Sequence, residues 1–162
     1  MLSIEPDPVL RSPAQPVMAV NAKISRLARD MIETMYANDG IGIAAPQVGE
    51  SFQLFVANPW RERGKELVVL NPVIESSRGR VLGTEGCLSL PGVWGRVRRA
   101  ASLRMSGQNL QGRRFTLRAD GLLAVVLQHE FDHLQGKLFV DRLSWLQRRR
   151  LARQLKTFTA CA

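Results

Sequence analysis

The segment 121–136, GLLAVVLQHEFDHLQG, restricts the fold more than any other part of the 162-residue chain. Leu122, Leu123, Val126, Leu127 and Leu134 spread apolar side chains around much of a helical circumference. A helix that is apolar on most sides is stable only when other elements enclose it. Asp120 is suited to cap its first turn, and Gly136 to end it. The chain's only two histidines, His129 and His133, fall on this helix four residues apart. That spacing sets both imidazoles on one face, where they can share a divalent cation. Glu130 lies ~100° around the helix from His129, beside such a cation and able to take a proton from water bound to it. The plainer reading is two hydrogen-bonded core histidines. It leaves unexplained why the whole histidine content falls at this spacing with Glu130 between.

The rest of the chain must supply the enclosure. Pro6, Pro8, Pro13 and Pro16 mark an extended or turning lead-in. After Asn21, a suitable N-cap, residues Ile24, Leu27, Ala28, Met31, Ile32 and Met35 repeat at helical spacing. This helix is expected to stop near Asn38-Asp39-Gly40, with the glycine in a left-handed conformation. The run GIGIAAPQVG (40–49) reads as loop or edge strand. Strands are predicted over 52–57, 67–74, 97–105 and 113–119, the last two joined by a hairpin connection at SGQNLQG. A third helix opens at Ser144, with Leu146, Leu151 and Leu155 as apolar anchors. Helices mixed with short strands, without regular βαβ alternation, predict an α+β fold. In it, short mixed or antiparallel strands surround a central buried helix carrying HExxH, and a C-terminal helix follows. No repeat or linker divides the chain, so one catalytic domain over 1–162 is expected.

Two histidines need a third protein ligand. Beyond His133 there is neither His nor Glu, which excludes a peptidase with a downstream Glu ligand. The run HEFDHLQGKLF follows a metzincin pattern as far as Gly136, but Phe139 stands where the third His belongs. Asp141, Cys161 and Cys87 remain. Cys87 lies in EGCLSLPG, where glycine and proline permit close backbone approach, and its thiolate would be stabilised by a cation. It is the favoured of the three. Tetrahedral ligation by two imidazole nitrogens and a thiolate sulfur would by itself suggest Zn2+.

Three segments together resemble one family. GIGIAAPQ (40–47), EGCLS (85–89) and QHEFDHLQG (128–136) are similar, in order and separation, to the signature motifs of peptide deformylase. The lead-in PDPVLR and the basic C-terminal helix extend the resemblance over nearly the whole chain. The resemblance implies hydrolysis of the formyl group from N-formylmethionyl peptides and nascent chains, releasing formate and a free α-amine. It implies one Fe2+ per chain on Cys87, His129 and His133, for which Zn2+, Ni2+ or Co2+ can substitute. Glu130 is then the general base, with the Gln47 side-chain amide and the Leu88 backbone N–H as donors to the developing oxyanion. Gly42 resembles the glycine whose backbone pairs with substrate like an added strand. Ile41, Leu122, Val125 and Val126 are candidates to line the methionine pocket. Asp132 is expected to pair with an arginine of the 96–99 stretch, Arg99 among them, and Glu85 to support the Cys87 loop. Trp94, Arg96 and Arg98 stand where relatives vary, which leaves preference beyond methionine open.

Composition limits the setting. Two cysteines exclude a disulfide framework and favour a reducing compartment. The start MLSIEPDPVL lacks the pattern of an export signal, and no apolar run suits a membrane span. A bacterial cytoplasmic protein with no membrane or DNA partner is therefore expected. The net charge is +9 and segregated: residues 86–119 carry seven arginines and no acid, and residues 142–162 carry five arginines and Lys156. Such segregation suggests an anionic partner. With the resemblance, it becomes a transient ribosome contact through Arg148, Arg149, Arg150, Arg153 and Lys156 of the C-terminal helix. Two rival readings are a HExxH metallopeptidase using Asp141 as third ligand and a basic nucleic-acid-binding module with a structural metal. The latter is weakened because a structural site requires four protein ligands and three are found.

Overall fold

The protein is described from a computed structural model covering residues 2–159. Among these residues, three α-helices and seven strands follow the chain in the order α1 (Ala22–Ala37), β1 (Gly42–Ala44), β2 (Leu54–Ala57), β3 (Leu67–Arg78), β4 (Val81–Cys87), β5 (Leu90–Arg99), β6 (Ser102–Gln108), β7 (Arg114–Asp120), α2 (Gly121–Leu134) and α3 (Trp145–Thr159). Both sheets are antiparallel, one of five strands in the order β1-β2-β3-β6-β7 and one formed by β4 and β5. Among the described residues, the one parallel contact is an isolated bridge between Gln15 and Phe52. No helix among them is long and apolar enough to cross a membrane.

The larger sheet is buried on both faces where β1, β2 and the start of β3 lie, and successive residues there face opposite clusters. On β2, Phe55 and Ala57 join Val69, Leu103, Met105 and Ala119 against Ala124, Val126, Leu127 and Leu134 of α2. Leu54 and Val56 face the other way, with Ile43 and Leu70, against Ile24, Ala28, Met31 and Met35 of α1. A third cluster joins Val93 and Val97 of β5 to Leu10, Leu138, Phe139, Val140 and Leu143, with Leu151 and Leu155 of α3 packed on it.

Several expectations need correction. The strand predicted over 97–105 is two strands: β5 ends at Arg99 and β6 begins at Ser102. Strand β4 is additional, because its burial lacks the alternation that identifies a strand from sequence. The Asn21 side chain caps α1 by accepting from the Ile24 N–H at 3.0 Å, but Asp39, at φ 53°, takes the left-handed turn assigned to Gly40. Gly40 is needed for space: a Cβ there would lie 3.2 Å from the Met35 carbonyl oxygen and 3.1 Å from Leu88 Cδ1. Asp120 precedes α2 without a side-chain cap bond. Leu146 is 53% exposed and anchors nothing, whereas Leu151 and Leu155 do pack.

Candidate active site

The three motif segments meet at a cleft of about 710 Å³. One wall is the start of the large sheet: Gly40, Ile41, Gly42 and Gln47. The other is the β4–β5 hairpin, with Thr84, Glu85, Gly86, Cys87, Leu88 and Trp94. The floor comes from α2, through Leu122, Val125, Val126, His129 and Glu130. Leu122 is 55% exposed at the cleft, so the first turn of α2 is not enclosed as its composition predicts. His133, one turn further along, is buried.

One ligand atom each from Cys87, His129 and His133 lies within 4.8 Å of the others. Cys87 Sγ and His133 Nε2 are 3.3 Å apart. Tetrahedral bonds to nitrogen and sulfur set ligand atoms roughly 3.3–3.6 Å apart, so a small divalent cation fits this set. Cys87 reaches it because the hairpin register shifts between Gly86 and Cys87 as β4 ends. Helical spacing delivers the two histidines, whose ring centroids are 5.0 Å apart.

Buried charges hold the set in place. Glu85 Oε2 lies 2.9 Å from His129 Nδ1, which leaves Nε2 of that ring for the ligand cluster. The Arg99 guanidinium donates through Nε and Nη2 to both Glu85 oxygens at 2.8 and 2.9 Å, and through Nη1 to Asp132 Oδ2 at 2.5 Å. Arg142 completes the group with bonds of 3.0 and 2.6 Å to the two Asp132 oxygens. Burial pushes the Glu85 carboxyl up, but its bonds to Arg99 and His129 prevail and hold it at about 2. Burial also disfavours charge on His129, yet hydrogen bonds to Cys87 and Glu85 and the charge of Glu130 hold that ring well above the imidazole range. His133 moves the other way, lowered by burial and by the positive charge of His129.

Glu130 is 3% exposed, and its Oε2 has no hydrogen-bond partner. Burial raises its carboxyl to about 7. It lies against Gly42, where a Cβ would stand 2.3 Å from Glu130 Oε1. Gln47 Oε1 accepts from the Ala44 N–H at 2.8 Å, and this aims Nε2 at Cys87 Sγ (3.4 Å) and Ser89 Oγ (3.3 Å).

The cleft therefore brings together ten of the predicted residues (Ile41, Gly42, Gln47, Cys87, Leu88, Leu122, Val125, Val126, His129 and Glu130), with His133 behind them. Asp141 is elsewhere: its Oδ2 accepts from Arg11 at 2.7 Å and from the Leu138 N–H at 2.9 Å, so it is not a third ligand. Cys161 lies outside the described residues. The expected pairing of Asp132 with Arg99 and the support from Glu85 are both present. Sequence reasoning missed Arg142 and the cleft positions of Arg61, Thr84 and Leu2. Only long-range folding assembles these, and no local pattern signals them.

Residues 2–149 match the family model for polypeptide deformylase. The chain is 47% identical over 154 residues to a peptide deformylase of Alkalilimnicola ehrlichii, covering 94% of this chain and 86% of that protein. A peptide deformylase of Neisseria gonorrhoeae is 44% identical over 151 residues, covering 93% and 90%. Among solved structures, peptide deformylase from Thermus thermophilus superposes with a TM-score of 0.90 at 44% identity, covering 97% of this chain and 95% of that one. The Plasmodium falciparum enzyme gives 0.95 at 31% identity, covering 99% and 95%.

Proposed function

The chain belongs to the peptide deformylase family, and on that premise we propose that its cleft holds the formylmethionyl end of a substrate with Glu130 moving the protons. Peptide deformylase is a metal-dependent enzyme that removes the N-formyl group from nascent peptides. The observation that carries the assignment of roles is the Cys87, His129 and His133 donor set beside a buried carboxylate with an unpartnered oxygen.

Cys87, His129 and His133 would hold one divalent ion per chain, Fe2+ by family, with Zn2+, Ni2+ or Co2+ able to take its place. When bound, that ion supplies Lewis acidity to the formyl oxygen and to the attacking water. Glu130 takes a proton from the water and returns it to the departing amine. Its carboxylate is buried with one oxygen unpartnered, which leaves that oxygen available for both transfers. The Gln47 Nε2 and the Leu88 backbone N–H donate to the oxyanion. Gln47 is preorganised for this by the bond that locks its other amide atom to Ala44. Gly42 pairs its backbone with the extended peptide, and Ile41, Leu122, Val125 and Val126 receive the methionine side chain. All these residues belong to one catalytic domain over 1–162.

The basic C-terminal helix is proposed as a transient ribosome contact. Two of its arginines also serve α3 itself: Arg148 bonds the Val140 and Asp141 carbonyls, and Arg149 stacks over Trp145 at 4.9 Å. Arg150 and Arg153 stand exposed. Ribosome binding that falls steeply with salt supports this contact, and salt-insensitive binding removes it.

The deciding experiment measures formate release from a formyl-Met peptide, with metal analysis of anaerobically purified protein. Iron-loaded protein that releases no formate overturns the reading. A Cys87→Ser variant that retains its ion and full turnover overturns the ligand assignment.

A further inference from the structure

The hairpin wall presents one large side chain that the mechanism does not use. Trp94 is 64% exposed and lines the cleft. It stands opposite Gly86 in the β4–β5 register, and its six-membered ring lies against the bare backbone there. A Cβ at Gly86 would sit 2.8 Å from both Trp94 Cε3 and Cζ3. The indole is thus supported from below by a residue without a side chain and is open above. Leu122 of α2, lining the same cleft, is likewise exposed. An exposed apolar rim around a cleft marks a surface that a ligand covers.

Successive side chains of an extended peptide point to opposite sides, about 3.3 Å apart along the chain. With the methionine directed into α2 by Val125 and Val126, the next side chain points to the other side of the peptide, where the cleft-lining residue of the hairpin with the largest exposed apolar surface is Trp94. We propose that Trp94, seated on Gly86, is a specificity-determining residue that receives the second side chain of the substrate and favours an aromatic or large aliphatic group there. The proposal rests on the deformylase reading of the cleft. Stacking on an indole face favours such groups. Arg61, which lines the same cleft, in a chain of net charge +9, disfavours a cationic one.

The test uses metal-loaded enzyme and four peptides, formyl-Met-Xaa-Ser with Xaa as Phe, Leu, Ala or Gly. Wild type is expected to favour Phe and Leu over Gly. Trp94→Ala is expected to lower the Phe-to-Gly ratio of kcat/KM about fivefold, through KM with kcat retained, because the contact is the same in ground and transition states. Trp94→Phe is expected to keep most of the preference. A ratio unchanged in Trp94→Ala, with all four peptides weakened alike or not at all, makes Trp94 only a prop for Gly86 and overturns the proposal. Wild type that hydrolyses none of the four peptides fails the deformylase reading itself, a result distinct from equal hydrolysis of all four.

Discussion

The two walls of the cleft are held by different forces. The glycine wall is continuous with the five-stranded sheet. Gly42, Ile43 and Ala44 pair with Ala57, Val56 and Phe55, and Ile43, Ala44 and Ala45 are fully buried between the two helices. Backbone ladder and apolar packing fix it. The hairpin wall belongs to a separate two-stranded sheet, and a ribbon of that size has little stability of its own. Apolar packing holds one side of the hairpin through Val93 and Val97. Near the ligands it is tied to α2 by Arg99, between Glu85 of the hairpin and Asp132 of the helix. One wall should therefore respond to added volume, the other to lost charge.

The largest effect is expected on the charged side. Arg99→Met leaves Glu85 and Asp132 buried with a partner removed from each, and losing one member of a buried pair costs about 3–5 kcal/mol. Urea unfolding should show this loss, accompanied by faster release of the ion to a chelator. A shift no larger than that of a surface variant would mean the hairpin is held by packing alone. On the other wall, Gly42→Ala puts a methyl group into Glu130 and should lower kcat about a hundredfold, since displacing a catalytic group by an ångström has that scale. Its urea midpoint should move little. A large stability loss with normal kcat in the survivors would reverse the assignment.

Acid should weaken the hairpin wall selectively. The folded Glu85 carboxyl, at about 2, lies below its ordinary 4.5, so its stabilisation is complete above pH 4.5 and is lost as pH falls through about 2. In metal-free protein, the stability gap between wild type and Glu85→Gln should narrow as pH falls below 4.5. A gap independent of pH would remove the ion pair as its cause. The smallest effect is expected at Arg63→Ala. Its pair with Glu33 is exposed on both sides, and the urea midpoint should stay unchanged within error.

What could be read from the sequence was local. The helical repeat and Asn21 cap of α1, the pairing of both histidines with Glu130 on α2, and the hairpin connection at SGQNLQG (106–112) all depend on residues within a few positions of each other. Even the Arg99 to Asp132 pair was legible, because Asp132 points away from the metal face of a buried helix, where it requires a cation, and the 96–99 stretch supplies arginines. Strand β4 was not legible. Its sequence VLGTEGC contains two glycines and one buried residue, and it becomes a strand only by pairing with β5. Asn71 shows the same limit. At φ 48°, its side chain bonds both backbone groups of Val17 and the side chain of Gln108, and partners 54 and 37 residues away leave no mark nearby.

The Gln147 amide has a wider consequence. It accepts from the Arg96 N–H at 2.8 Å and donates to the Arg96 carbonyl at 3.0 Å, occupying the backbone groups that a neighbouring strand would claim. A hairpin with two open edges invites another chain to add to either, and that is a route to aggregation. Here α3 closes the edge of β5 with one side chain. In the same register pair, Thr84 turns its own N–H and C=O away from β5, toward the cleft it lines. An extended chain meeting this hairpin finds the outer edge taken at Arg96 and the inner edge free. In this way one side chain of α3 guards the outer edge of the hairpin against the pairing that leads to fibres.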